Sequence, residues 1–391
     1  MMTVVFWLSA GLIIYTYFGY PVLLTIASAF VQMARDLRFL LTRRERRVSR
    51  AGELPSVTVL VAAYNEESCI SERVENLLAL DYPEDRLEVL VGSDGSTDRT
   101  AEILSSIEDP RFKSHCFDEN RGKISVLNDL MLKASGDVVV MTDANTVYQP
   151  DTVRMLVRHF SDEAIGAVCG ELQLIDKASG QNRDGAYWRY EQVLKFHESR
   201  LGALLGANGA IYAIRRMLYE PLPADTIVDD FQIAMNIARK GLTVVYDPES
   251  VASEPVAPDL RAEHGRRVRI GAGNYQSISR VRWALNPRAG WRWFTFVSHK
   301  LLRWFVPHLM VLALVTNLLL IELPRYRVLL AGQLLFYALA IYGLLRLRAE
   351  RPNGFLVSLA SFFLAMNAAL LQGFVRFLRA DLGGAWSRTR R

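Results

Sequence analysis

The sequence predicts an α/β domain built on a mostly parallel sheet and joined to membrane-spanning helices. Three observations carry that expectation. From Pro55 the chain alternates strand-like and helix-like segments, and the strands are apolar throughout. Residues 4–30 carry no charge, and apolar runs return at 301–321, 328–345 and 355–375. The composition fits neither half alone. A chain with 51% hydrophobic residues and a mean hydropathy of +0.12 is too apolar for a plain soluble enzyme, and 22% charged residues is too many for a pure membrane bundle.

The first 34 residues are expected to be a transmembrane helix, since about 20 apolar residues suffice to cross the hydrocarbon core. The uncharged run is longer than the roughly 7–15 residues of a signal-peptide core, and no basic segment precedes it. Residues 35–54, with "RDLRFLLTRRERRVSR", form a basic linker. The positive-inside rule places this linker and the α/β domain after it in the cytoplasm, with the N-terminus outside. A nucleic-acid role for this run is set aside, because juxtamembrane arginines already have a partner in anionic lipid.

Residues 55–258 are the α/β domain. "VTVLVAAYN" (57–65) is an apolar strand, followed by helical spacing at Ile70, Val74, Leu77 and Leu78. "LEVLVGSDGS", "RFKSHCF" and "DVVVMTDAN" continue the strands, separated by "TDRTAEILSSI" and "KISVLNDLMLKA" as helices. Apolar strands alternating with helices imply a parallel sheet covered on both faces, and ligands bind off the carboxyl ends of such strands. Polar residues gather there: Asn65-Glu66, Asp94 and Asp143. "TIVDDFQIAMNIARKG" reads as a helix ending at Gly241, with Asp229 and Asp230 in its first turn.

Residues 259–300 are basic and amphipathic, with aromatics among cations in "WRWFTFVSHKLLRWF", as an interfacial helix requires. Residues 301–378 supply about three further spans, and 379–391 a basic tail. Four spans put that tail outside, against the positive-inside rule, unless one of the last segments is re-entrant. Three widely spaced cysteines and six histidines lack metal-ligand spacing.

Each acidic cluster has a plain reading by itself. "SDGSTD" is a turn with helix-capping residues, "TDAN" an Asx turn, and "VDD" acid placed against a helix macrodipole. Their order changes the reading. "AAYNE", "GSDGSTD", "GK..VLN", "TDAN", "G.NGA", "VDDFQIAMNIARKG" and "RRVRIGAG" stand in the sequence found in family 2 glycosyltransferases of the GT-A fold. The resemblance covers roughly residues 55–280 and extends to membrane-embedded bacterial polysaccharide synthases of the cellulose, chitin and hyaluronan synthase type.

The resemblance implies a donor that is a nucleotide sugar, a UDP-sugar by preference. Tyr64 and Glu66 would frame its base, Asp94 would meet the nucleoside, and Lys123 would touch the nucleotide or its phosphates. The plain alternative for Lys123 is a solvated helix lysine. Asp143 and Asn145 occupy the family's Asp-x-Asp, which holds Mg²⁺ or Mn²⁺ against the diphosphate. An amide in the second place offers a carbonyl oxygen without charge, so a weaker site is expected. Asp230 matches the family's base, with Asp229 in support.

Asn208 and Gly209 lie in a small-residue segment that would admit an acceptor sugar, or would simply pack closely. Arg266 and Arg269 fall where synthases carry Gln-x-x-Arg-Trp, and both are suited to diphosphate. Ile270 stands in place of the aromatic, a departure from the pattern of chain-elongating synthases. The expected activity is inverting transfer to a growing polysaccharide or lipid-linked glycan at a bacterial-type inner membrane, with export or polymerisation partners possible. The alternatives are a single-addition transferase on a polyprenyl-phosphate-linked acceptor and a silent nucleotide-binding subunit.

Overall fold

The computed structural model describes residues 1–42, 54–175, 185–255, 260–349 and 351–380. Most of the expected basic linker (43–53) and of the basic tail (381–391) lies outside them. The chain divides into two compact units.

One unit comprises the described residues of Leu24–Leu260 and Arg280–Thr295. Its eight strands are β1 (Val57–Ala63), β2 (Leu87–Asp94), β3 (Phe112–Phe117), β4 (Val138–Asp143), β5 (Val147–Tyr148), β6 (Ile165–Ile175), β7 (Tyr212–Arg215) and β8 (Thr243–Pro255). They form one sheet in the order β3-β2-β1-β4-β7-β6-β8-β5. β1 to β4 pair in parallel, as the alternation predicts. Successive strand residues point to opposite faces, and both faces are buried. Val57, Val59 and Val61 pack with Ile70, Val74 and Leu77 of the helix Ile70–Leu78. Leu60 and Ala62 pack on the other side with Val126, Leu127 and Leu130 of the helix Lys123–Lys133.

Register decides where the chemistry lies. Val57 pairs with both Leu87 and Val138, so β1, β2 and β4 end at one edge. Tyr64, Asp94 and Asp143 therefore share that edge. β7 runs antiparallel to β4, with Tyr212 opposite Met141. This reversal carries the segment just before β7, including Asn208 and Gly209, to the same carboxyl edge. A wholly parallel sheet would have put it at the far end.

The other unit is made of Met1–Leu23, Arg261–Ser279 and the described part of Phe296–Leu382. The helix Leu260–Arg280 contributes most of its length to this unit and packs on the helix Phe355–Leu378 through two glycines. A Cβ at Gly373 would stand 2.7 Å from the Ala272 nitrogen and 2.8 Å from the Val268 oxygen. Backbone cannot step aside as a flexible side chain can. Gly373→Leu is expected to force the helices apart at a cost on the order of 1–3 kcal/mol, the range for overpacking a close contact. The measurement is Tm in detergent, and an unchanged value removes the close-packing account.

Four helices among the described residues are long and apolar enough to cross a membrane: Met2–Thr42, Trp291–Leu319, Pro324–Arg348 and Phe355–Leu378. Two boundaries differ from the sequence expectation. The first helix continues past residue 34 to Thr42, and the segment expected to be a separate interfacial helix before 301 is continuous with the next span. A wider π turn at Phe296–Leu301 carries the second helix through its expected boundary, and another at Tyr15–Gly19 lies within the first span.

Candidate active site

The strand ends are tied to one another before any ligand is considered. Asn65 follows β1 in a left-handed conformation (φ 56°), which asparagine tolerates better than most residues. Its side-chain oxygen accepts from the Thr97 N–H at 2.8 Å, and its own N–H donates to Ser96 Oγ at 3.1 Å. The Glu66 N–H donates to Thr100 Oγ1 at 2.8 Å. The loop bearing half-buried Tyr64 and Glu66 is thus clamped to the "SDGSTD" turn.

Asp94 ends β2 and is completely buried. Its Oδ1 accepts from the Arg121 N–H at 2.9 Å and its Oδ2 from the Gly122 N–H at 2.8 Å. Gly122 takes φ +89°, a conformation that disfavours a side chain, and the next residue opens the helix bearing Lys123. Asp94 therefore holds the turn that presents Lys123.

Lys123 is not a solvated helix lysine, since its side chain is 24% exposed and lies between two carboxylates. Its Nζ is 3.0 Å from Asp143 Oδ1, at the end of β4, and 3.4 Å from Asp229 Oδ2. Burial works against its charge, but Asp143 and Asp229 outweigh it and hold the ammonium above its usual range. Asp229 and Asp230 open the helix Asp229–Arg239, where negative charge meets the positive end of the macrodipole. Asp230 Oδ1 accepts from the Phe231 N–H at 2.7 Å and Oδ2 from the Gly209 N–H at 3.0 Å. Burial, and then the neighbouring Asp229, push Asp230 up to about 6. A carboxylate tuned towards neutrality is what a general base requires.

Asn208 makes a tight turn, its backbone oxygen accepting from the Ile211 N–H at 2.9 Å. One unit thus gathers Lys123, Asp143, Asp229, Asp230, Asn208 and Gly209. Arg266 and Arg269 belong to the other unit, on the helix Leu260–Arg280, with Arg266 Nη1 3.7 Å from Glu263 Oε2.

Asp143 and the carbonyl oxygen of Asn145 are the oxygen donors a hard cation would use. The Asn145 amide nitrogen is buried with no partner among the described residues, so this amide is not consumed by a turn hydrogen bond through its nitrogen. No group of three acidic, histidine or cysteine side chains stands ready for a metal among the described residues. The residues fit a cation whose remaining oxygen ligands come from a diphosphate.

A buried polar group behind this edge was not anticipated from the sequence. Arg73, Asn76, Thr142 and Tyr148 hydrogen-bond behind the Asp143 turn, and buried Glu254 accepts from Thr146 Oγ1 at 2.8 Å. One signal was present. Arg73 occupies the core-facing position between Ile70 and Val74, where an apolar side chain is the rule.

Residues 58–220 match the family model described as glycosyl transferase family 2. The chain is 28% identical over 272 residues to the poly-beta-1,6-N-acetyl-D-glucosamine synthase of Staphylococcus aureus (strain COL), covering 67% of this chain and 65% of that one. The Staphylococcus epidermidis protein of the same name is 26% identical over 254 residues, covering 63% and 60%. The chain thus spans somewhat less than two thirds of the length of these relatives. Among solved structures, the mannosyltransferase PcManGT from Pyrobaculum calidifontis, in complex with GDP-Man and Mn²⁺, aligns with a TM-score of 0.71 at 24% identity, covering 97% of this chain and 100% of that one. This is a likeness of fold, and it extends over nearly the whole chain.

Proposed function

We propose that this chain is a family 2 glycosyltransferase that transfers a sugar with inversion from a nucleotide sugar to a growing polysaccharide at the membrane, forming a β-glycosidic bond. The observation that carries the reading is the convergence of Lys123, Asp143, Asp229 and Asp230 at the carboxyl edge of the sheet, with Asp230 held by the Gly209 N–H.

In this reading Asp230 accepts the proton of the acceptor hydroxyl as its oxygen attacks the anomeric carbon. The bond from that carbon to the donor phosphate breaks, and the nucleoside diphosphate leaves on the opposite face. Asp143 and Asn145 would hold Mg²⁺ or Mn²⁺, which supplies Lewis-acid stabilisation of the leaving diphosphate when bound. Lys123 adds a fixed positive charge beside it, and Asp229 keeps that ammonium in place. Tyr64 and Glu66 border the nucleoside pocket, and Asp94 shapes it through the Arg121–Gly122 turn. The synthase relatives favour UDP-N-acetylglucosamine as the first donor to try. The catalytic unit faces the cytoplasm of a bacterial-type inner membrane, anchored by the four apolar helices, with membrane lipid as the remaining partner.

A second reading, addition of one sugar to a lipid-linked acceptor, is favoured by Ile270, which stands where synthases carry an aromatic. Purified protein in lipid with Mg²⁺ or Mn²⁺, given UDP- and GDP-sugars, is expected to release nucleoside diphosphate and make a polymer. A product one sugar longer than its acceptor selects the second reading, and no turnover with any donor overturns both.

A further inference from the structure

Arg73 lies on the core-facing side of the helix Ile70–Leu78 and is 2% exposed. A guanidinium in that position needs partners; Nε has none among the described residues, and the two terminal nitrogens are satisfied by Asn76 on the same helix and by Thr142 beside Asp143. Nη2 donates to Thr142 Oγ1 at 2.7 Å and Nη1 to Asn76 Oδ1 at 2.8 Å. The guanidinium carbon lies 4.5 Å from the centre of the Tyr148 ring, a cation–π distance. Burial lowers Arg73 to about 10, which leaves it charged at neutral pH.

The contacts continue forward. Thr142 directly precedes Asp143, and its hydroxyl donates to the Ala210 carbonyl at 2.8 Å. The Tyr148 hydroxyl donates to the same oxygen at 3.2 Å. Ala210 follows Gly209, whose N–H holds Asp230. A short polar chain therefore joins the buried cation to the Asp143 turn and to the loop that fixes Asp230.

We infer that Arg73 is a positioning residue for this site. Through Thr142 it sets the spacing between the Asp143–Asn145 turn and the Asn208–Ala210 loop, and so between the diphosphate side and the base side of the reaction. The inference rests on the transferase reading given above. A buried ion gives little net stability compared with an apolar residue of similar volume, so stability alone does not explain an arginine at this position. Geometry does. Arg73→Met is expected to fold, because Thr142 Oγ1 keeps the Ala210 carbonyl and Asn76 Oδ1 keeps the Tyr148 N–H at 2.9 Å.

The test uses the full chain in lipid with Arg73→Met, Arg73→Lys, Thr142→Val and the Arg73→Met/Thr142→Val double variant. Two quantities are read: steady-state transfer, and the Mn²⁺ dependence of UDP binding. Arg73→Met is expected to lower kcat by about 10- to 100-fold, the usual range for a residue that orients metal ligands. Donor KM at saturating Mn²⁺ should change little, and the Mn²⁺ needed for half-maximal UDP binding should rise. Arg73→Lys keeps the charge without the fork and should recover part of the loss. Thr142→Val, which also loses the bond to the Ala210 carbonyl, should cost at least as much as Arg73→Met, with the double variant no worse than Thr142→Val alone, because residues acting in one chain are not additive. An unchanged kcat in folded Arg73→Met, or additive losses, overturns the inference. If Arg73→Met does not fold, an unchanged kcat in Thr142→Val overturns it. If the wild type transfers no sugar, the functional reading fails by itself, and an unshifted Mn²⁺ dependence of UDP binding in Arg73→Met still sinks the positioning role.

Discussion

Asp230→Asn is expected to abolish transfer while UDP still binds. An amide cannot take the proton of the acceptor hydroxyl, and loss of a positioned base costs about 10²- to 10⁴-fold in rate. The fold should survive the change. Asparagine keeps one acceptor for the Gly209 or Phe231 N–H, and the repulsion between Asp230 and the adjoining Asp229 disappears. The same residue predicts the acid limb of the pH profile. Burial and Asp229 raise Asp230 to about 6, so the ionised form that can act as a base is lost as pH falls through that value. Turnover should drop about tenfold per pH unit below it, as one required deprotonation dictates. Any residual activity of Asp230→Asn should lack that limb. A variant that turns over like the wild type, or a wild-type rate flat from pH 7 to 5, removes Asp230 from the base role.

The local parts of this site were legible in the sequence because each is contiguous. "SDGSTD" and "TDAN" follow apolar runs, and parallel strands in register bring such ends together without further information. What could not be read depends on pairings across the chain. The proximity of Lys123 to Asp229 needs the helix Asp229–Arg239 to arrive beside β4. The approach of Gly209 to Asp230 needs β7 to run against its neighbours, and a four-residue strand gives no direction in its composition.

Asp94 could be read as a ligand carboxylate, but not as one whose two oxygens already accept backbone N–H groups. The continuity of the helix through Phe296–Leu301 escaped for a different reason. A π turn leaves no mark on hydrophobic periodicity beyond a one-residue slip. Arg73 was visible as a charge in an apolar stripe, yet its partners Thr142 and Tyr148 are supplied only by the fold.

Asp143→Asn is expected to cut both metal dependence and rate, on the order of 10²- to 10³-fold, the size of losing one preorganised contact to developing charge. It removes the carboxylate of the "TDAN" turn and also the partner that holds Lys123 at 3.0 Å. Asn145→Asp runs the other way. A hard dication gains more from a carboxylate than from an amide carbonyl, so the Mg²⁺ or Mn²⁺ needed for half-maximal activity should fall. Turnover need not rise with it, because a tighter complex with the diphosphate can slow product release.

The buried amide nitrogen of Asn145 has no partner among the described residues, so the carboxylate that replaces it breaks no hydrogen bond through that atom. Lys123 is already shared between Asp143 and Asp229, and a further negative charge therefore calls for a metal ion more strongly. A metal titration of the wild type and both variants decides. An unchanged metal requirement in Asn145→Asp makes the amide a turn residue ordering the end of β4. Wild-type behaviour in both variants moves the cation out of this turn, and leaves Lys123 as the positive charge that meets the diphosphate.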